Sequence, residues 1–312
     1  MNDSGSCNYI CSIISNEIKF FNWVIYAMAD SPASRILESS QILYTKLFSL
    51  DEINDILKKK NPDIVLYGTG WLNFSSTLSD NAKKYNFKIV SLIDHWTSYN
   101  QRFHNNAFPD AILVMDDTAY KKANKIFKSK SIIFKIKNYY LDAVKSACDF
   151  GKKKRDHIVF LSEPHIVNKN NLKTFEYILL EDILKMFDKV IVRLHPKESK
   201  NKYYDLISKF PKAKISIVDP YEENLGSTLS KSKLSIGIQS TALYLSYLLG
   251  INTVSILPKK CLTPNIPLPK KYILKKLNHV KTLNFTNIER LEPNTNAISF
   301  YECINFLSRG NK

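Results

Sequence analysis

Between residues 157 and 257 short apolar runs alternate with helix-period segments, and this alternation restricts the fold more than any other feature of the chain. His157-Ile158-Val159-Phe160-Leu161 reads as a strand, 172–187 as a helix and 189–194 as the next strand. Helix 203–210, strand 214–218, helix 223–231, strand 234–238, helix 242–249 and strand 252–257 follow. Apolar strands separated by helices must be covered on both faces, which predicts a parallel sheet with right-handed crossovers. The first half repeats the theme less regularly. Helix 50–60 leads into strand 63–67, which ends in Gly68-Thr69-Gly70. Helix 76–85, strands 88–93 and 111–115, helix 118–127 and strand 131–137 come next, while residues 1–48 resist assignment.

A chain of 312 residues is long enough for two cores. The charged run Gly151-Lys152-Lys153-Lys154-Arg155 is the natural linker, although a solvated loop has the same composition. The expected architecture is therefore α/β: two Rossmann-like domains, 1–150 and 151–295, with parallel sheets facing across a cleft. An amphipathic C-terminal helix lies in 296–312, and 258–269 is loop-like with four prolines.

The five cysteines are odd in number and form no Cys-x-x-Cys pair, which argues against a disulfide framework or a zinc site and suits a reducing cytosol. The apolar stretch 10–29 is broken by Asn16, Glu17, Lys19 and Asn22 and lacks the features of a signal peptide. The net charge of +16 comes largely from lysines spread over many segments. Biased composition, an anionic ligand, an anionic membrane surface or nucleic acid could each account for it. The aromatic residues sit inside apolar runs instead of interleaving with lysines, and no recognition motif occurs, so nucleic acid is not the expected partner.

Chemistry concentrates where strands end. Arg193-Leu194-His195-Pro196 closes one strand, and Gln239-Ser240-Thr241 opens the helix after another. In an open α/β sheet both segments belong to the carboxyl edge, where ligands bind. A histidine, an arginine, two hydroxyls and a helix N-terminus suit a phosphate. Strand alternation puts Arg193 and His195 on one side. A surface histidine and an ordinary N-cap would give the same residues. Ser162 and Glu163 lie on the same edge as further nucleotide contacts or as a turn. Glu222, in Asp219-Pro220-Tyr221-Glu222, could meet base and ribose or simply shape a turn. His104, His157, His165 and His279 have no ligand spacing. A Gly-x-Gly-x-x-Gly fingerprint, a Walker A loop and Asp-x-Asp are all missing. Lacking a carboxylate pair to hold a metal, the chain is expected to stabilise a leaving phosphate with side chains and a helix dipole, with neither metal nor cofactor.

His195-Pro196 followed by Ser240-Thr241, inside 157–257, resembles the nucleotide-binding domain of GT-B glycosyltransferases. More narrowly it is similar to bacterial sialyltransferases and related capsule and lipopolysaccharide sugar transferases. The resemblance implies that His195 contacts the phosphate of a CMP-activated sugar and helps the nucleotide leave, and that Ser240 and Thr241 hold that phosphate. It also implies a general base from the first domain, in an acidic pair ending in Gly. This chain has no such motif. Asp94, at the end of strand 88–93, is the positional analogue, and Asp116-Asp117 is the second candidate, with Asp117 better suited to cap the next helix. Gly70, His95 and Arg102 are expected near the acceptor or sugar.

The implied reaction moves a CMP-activated sialic or other ulosonic acid to a hydroxyl of a bacterial surface glycan, with nucleotide sugar and glycan or glycolipid as partners. A CDP-polyol phosphotransferase and a UDP-sugar 2-epimerase share the architecture, and a basic nucleic-acid-binding protein is the non-enzyme alternative. Lys259-Lys260, Lys270-Lys271 and Lys275-Lys276 suggest a cytoplasmic protein that touches an anionic membrane surface; a solvated loop would look alike.

Overall fold

In a computed structural model the chain divides into two compact units, residues 1–140 with 292–312, and residues 141–291. The described residues are 1–70, 74–85, 87–103, 107–151, 154–164, 174–257, 264–285 and 296–309, with 74–76 described in backbone only. Trp71, His104, Lys152, Lys153, His165, Leu172, Pro258, Lys259, Lys260 and Cys261 lie outside them.

The first unit fills the unassigned N-terminal stretch with α1 (Ser4–Glu17), β1 (Tyr26–Met28), α2 (Pro32–Ser39) and β2 (Thr45–Leu47). Pro32 stands at the first helical position of α2 behind a Ser31 cap, a start that needs no proline N–H. Then come α3 (Glu52–Lys60), β3 (Ile64–Gly68), α4 (Phe74–Lys84), β4 (Lys88–Leu92), β5 (Ala111–Val114), α5 (Asp117–Phe127) and β6 (Ile132–Lys135). β1 and β2 pair in parallel, and β3-β4-β5-β6 form a four-stranded sheet whose strands are all parallel. α6 (Tyr139–Ser146) crosses the division between units.

The second unit carries β7 (His157–Leu161), α7 (Phe175–Met186), β8 (Lys189–Arg193), α8 (Tyr204–Ile207), β9 (Lys214–Val218), α9 (Leu225–Leu229), β10 (Ser232–Gly237), α10 (Thr241–Leu248), β11 (Thr253–Ile256) and β12 (Ile273–Leu274). Two helices are shorter than the pattern predicts. Pro211 disfavours helix at the residue before it, so 203–210 keeps only α8. Asn224 takes extended backbone and accepts from the Ser227 N–H, so α9 starts after it and not at residue 223. The six strands are parallel, in the order β12-β11-β10-β7-β8-β9. β7, β8 and β10 are nearly all buried, because helices cover both faces. The edge strand β9 instead exposes Lys214 and Ser216, which blunts it against further pairing. α10 is apolar over most of its circumference and lies in the core through Leu243, Leu245 and Tyr247.

The C-terminal helix α11 (Phe300–Arg309) packs with the first unit. Its apolar stripe, Phe300, Cys303, Ile304 and Leu307, joins Tyr9 and Ile13 of α1 and Leu92 and Leu113 of the sheet in one core. Tyr139 ties this core together, donating to Glu17 and accepting from the Phe300 N–H. The units thus part ten residues ahead of the boundary expected at 150/151. Arg155, at the end of the charged run, keeps company with the second unit, where it donates to the Ser232 carbonyl.

Candidate functional site

The strand order of the second unit singles out one place. From β7 the chain steps outward through β8 to β9, then returns to lay β10 on the opposite side of β7. The switch point therefore lies between β7 and β10, the position where open α/β sheets form a crevice. Gly237, Leu161, Arg193 and Val218 stand level across four strands, so the loops that follow leave the sheet at one height.

At the switch point a buried carboxylate joins the two loops. Glu163 Oε1 accepts from the Gln239 N–H at 2.5 Å, and Gln239 Oε1 accepts from the Asn265 N–H at 2.6 Å. Next along the chain, Ser240 caps α10. Its Oγ accepts from the Leu243 N–H at 3.2 Å, which leaves its own O–H free to donate elsewhere. Thr241 is the first helical residue. The N-cap reading of Ser240 therefore holds, and it is compatible with a second role toward a ligand.

On the other side of β7, His195 occupies the turn after β8. Its N–H donates to Glu198 Oε2 at 2.7 Å, and its Nδ1 accepts from the Lys197 N–H at 3.1 Å. A nitrogen that accepts carries no proton, so the neutral ring holds its proton on Nε2. Two strand spacings, about 10 Å, separate the ends of β8 and β10. His195 and the start of α10 thus lie on one edge of one sheet, flanking Ser162 and Glu163.

Beneath this edge is a polar cluster that the sequence reading missed. Lys202 Nζ donates to Glu198 Oε1 at 2.5 Å, Glu176 Oε1 at 2.9 Å and the Glu163 carbonyl at 3.3 Å. Ser162 Oγ meets the Tyr203 hydroxyl at 2.6 Å and donates to Glu198 Oε1 at 2.9 Å. Burial works against the Lys202 ammonium, but hydrogen-bonded Glu198, with Tyr203 and Glu176, outweighs it and the pKa rises. Burial pushes the Tyr203 phenol up as well. Only the i, i+4 spacing of Glu198 and Lys202 was visible in sequence, and that spacing usually marks an exposed pair.

Two expected contacts point elsewhere. Arg193 Nη1 donates to the Glu223 carbonyl at 2.8 Å and to Thr228 Oγ1 at 2.7 Å, so its guanidinium holds the β9–α9 loop. Alternation along β8 does not carry past Leu194, because the strand ends at Arg193 and His195 sits in a turn. Glu222 is exposed and pairs with Lys200, which also reaches Asp219. The Tyr221 hydroxyl fastens this loop to the Pro196 carbonyl.

The first unit has its own carboxyl edge. Asp94 Oδ1 lies 3.3 Å from Arg102 Nη1, both side chains being largely buried. Arg102 also donates to Thr69 Oγ1 at 2.7 Å and to the Thr97 carbonyl at 3.1 Å. α1 begins against the same carboxylate, since a Cβ on Gly5 would stand 2.0 Å from Asp94 Oδ2. A Cβ on Gly70 would stand 1.8 Å from Asp3 Oδ2. His95 Nδ1 meets Thr97 Oγ1 at 3.0 Å, and its ring tilts against Trp96. Asp116, not Asp117, caps α5: Oδ1 accepts from the Ala119 N–H and Oδ2 from Trp96 Nε1, each at 2.7 Å. Burial raises the Asp116 pKa. Asp117 is the first helical residue and pairs with Lys135 at 2.5 Å.

No family model and no curated protein matches the sequence. Solved structures do resemble the fold. S. aureus MnaA with UDP aligns at a TM-score of 0.71 and 11% identity, over 99% of this chain and 95% of that one. UDP-GlcNAc 2-epimerase from Neisseria meningitidis bound to UDP-GlcNAc aligns at 0.65 and 13% identity, over 98% and 97%. The wall teichoic acid polymerase TagF with CDPG aligns at 0.51 and 12% identity, over 99% and 86%. Likeness at such low identity speaks for the fold, and that fold is GT-B-like: an α/β chain with parallel sheets in two Rossmann-like units.

Proposed function

We propose that the chain is a sugar-nucleotide enzyme, and specifically a metal-independent glycosyltransferase. Its donor is a CMP-activated sialic acid or other ulosonic acid, and its acceptor a hydroxyl of a bacterial capsule or lipopolysaccharide glycan. The observation that carries this reading is the ring of His195, whose Nδ1 is taken by the Lys197 N–H, on the edge that also holds the start of α10. An imidazole Nε2–H, the Ser240 and Thr241 hydroxyls and the positive end of a helix are fixed donors for one phosphate. As the sugar–phosphate bond breaks, negative charge gathers on the phosphate oxygens, and donors already in place stabilise it. Glu198, which holds the His195 N–H, is a positioning residue in this scheme.

Asp94 is the proposed base for the acceptor proton, held by Arg102, with His95 and Gly70 on the same edge of the first unit's sheet. Ser162, Glu163 and Arg193 are proposed to shape the nucleotide side through the loops they hold, and Glu222 to meet the ribose or base.

A UDP-sugar 2-epimerase is the second reading, favoured by the likeness to the Neisseria meningitidis UDP-GlcNAc 2-epimerase over nearly the whole chain. Thermal shift against CMP, CDP, UDP and GDP separates the readings. Stabilisation by CMP alone, absent in His195→Ala, supports the transferase. Stabilisation by UDP alone, with interconversion of UDP-sugar epimers seen by NMR, replaces it with the epimerase. Stabilisation by CDP alone points to polyol phosphate transfer.

A further inference from the structure

Helix α7 and the 3₁₀ stretch Leu277–Thr282 are far apart in sequence, yet they enclose a groove of about 590 Å³ in the second unit. That volume is in the range of clefts that take small ligands. The floor is apolar, with Ile178, Met186 and Leu277 among its lining. Ile178 is 39% exposed. The rim is basic: Lys185, Lys275, Lys276 and Lys281 face a single carboxylate, Asp182. Lys185 is paired with Glu181. Among the described residues no carboxylate pairs with Lys275, Lys276 or Lys281.

An apolar floor beside three lysines that no described carboxylate pairs with has a definite chemical complement. Nucleic acid would supply the charge but has no use for an aliphatic floor. A plain hydrophobe would fill the floor and leave the lysines without partners. An amphiphile with an anionic head and an aliphatic tail satisfies both. We infer that this groove docks the second unit on an anionic phospholipid bilayer, with lysines at the headgroups and aliphatic side chains toward the acyl boundary. None of the groove's lining residues is among those proposed to meet the nucleotide, so its test stands whether or not the proposed reaction is right.

Sedimentation with phosphatidylcholine vesicles containing about one third phosphatidylglycerol tests it. The wild-type chain should pellet with these vesicles, remain in solution with pure phosphatidylcholine, and dissociate as salt shortens the screening length below about 8 Å. Lys275→Glu/Lys276→Glu/Lys281→Glu should lower partitioning by about 30-fold or more, since each lysine near an anionic surface matters severalfold. These positions are exposed, so unchanged thermal melting is expected to show that the variant folds. Ile178→Asn should also weaken binding. The chain's overall charge of +16 demands a charge-matched control, Lys121→Glu/Lys125→Glu/Lys128→Glu on α5 and at its C-cap, which should retain most of the binding. Equal loss in both triple variants would assign the effect to net charge and overturn the groove. Binding to neutral vesicles as strong as to anionic ones would overturn it too. Displacement from vesicles by soluble glycerol phosphate at millimolar level would reassign the lysines to free phosphate and remove the membrane.

Discussion

Glu163 and Gln239, 76 residues apart in sequence, are joined by a carboxylate–amide hydrogen bond of 2.5 Å across the switch point of the second sheet. Glu163 is buried, and its own carbonyl accepts from Lys202. The bond sets the distance between the loop after β7 and the segment that opens α10. Glu163→Ala would strand the Gln239 N–H and should cost about 2 kcal/mol. Glu163→Gln keeps an acceptor and should cost less than about 1 kcal/mol. Urea midpoints at unchanged slope measure both, and equal losses would show that charge, not the acceptor, is what matters.

Glu198 holds His195 from behind. Its two oxygens serve the His195 N–H, Ser162 Oγ and Lys202. Glu198→Ala should reduce nucleotide-dependent stabilisation as strongly as His195→Ala, whereas Glu198→Gln should retain most of it. Thermal shift at saturating nucleotide reads the difference. A variant that melts earlier yet keeps its full nucleotide shift would make Glu198 purely structural.

Lys202 sits between Glu198 and Glu176, with both carboxylate side chains almost wholly buried. Lys202→Met leaves them without their cation and should cost about 3 kcal/mol. The pKa of Lys202 is raised above its ordinary 10.5. Its contribution is therefore complete below that pH and is lost only as pH climbs through the higher folded value. The gap in melting temperature between wild type and Lys202→Met should stay flat from neutral pH to about pH 10. A gap that closes within that window contradicts the sign.

Arg102 links Asp94 to Thr69 in the first unit. Arg102→Met leaves a largely buried carboxylate unpaired and should destabilise by about 3 kcal/mol. Arg102→Met/Asp94→Asn removes the uncompensated charge and should recover at least about 1 kcal/mol of that loss. Additive effects in chemical denaturation would mean that the two side chains do not couple.

Gly5 lies where a methyl group would meet Asp94 Oδ2 at 2.0 Å. Alanine normally favours a helix over glycine by about 0.5–1 kcal/mol. Here Gly5→Ala should instead destabilise, by about 1–3 kcal/mol, because Asp94 is tethered by Arg102 and cannot simply swing away. In an Asp94→Ala background the sign should revert to the ordinary gain. Calorimetric melting of the four proteins in the cycle decides it.

Much of this molecule was legible in one dimension. Apolar runs such as Val190-Ile191-Val192 and Ile158-Val159-Phe160 announce buried strands because periodicity is a local property. Ser240 announces a cap for the same reason, since an N-cap needs only its own hydroxyl and an N–H three residues on. The parallel sheets follow from the helices between strands. Strand order does not follow, and it depends on the return of β10 to the far side of β7. That return, a choice among crossovers of the same hand, places His195 and α10 about Glu163. Side-chain direction at a strand end is equally nonlocal. Arg193 turns to Glu223 and Thr228 because a buried guanidinium goes where buried acceptors wait. Local pattern determined the elements and their caps, and packing between distant segments decided which polar groups meet, because a buried polar group without a partner costs the folded chain free energy.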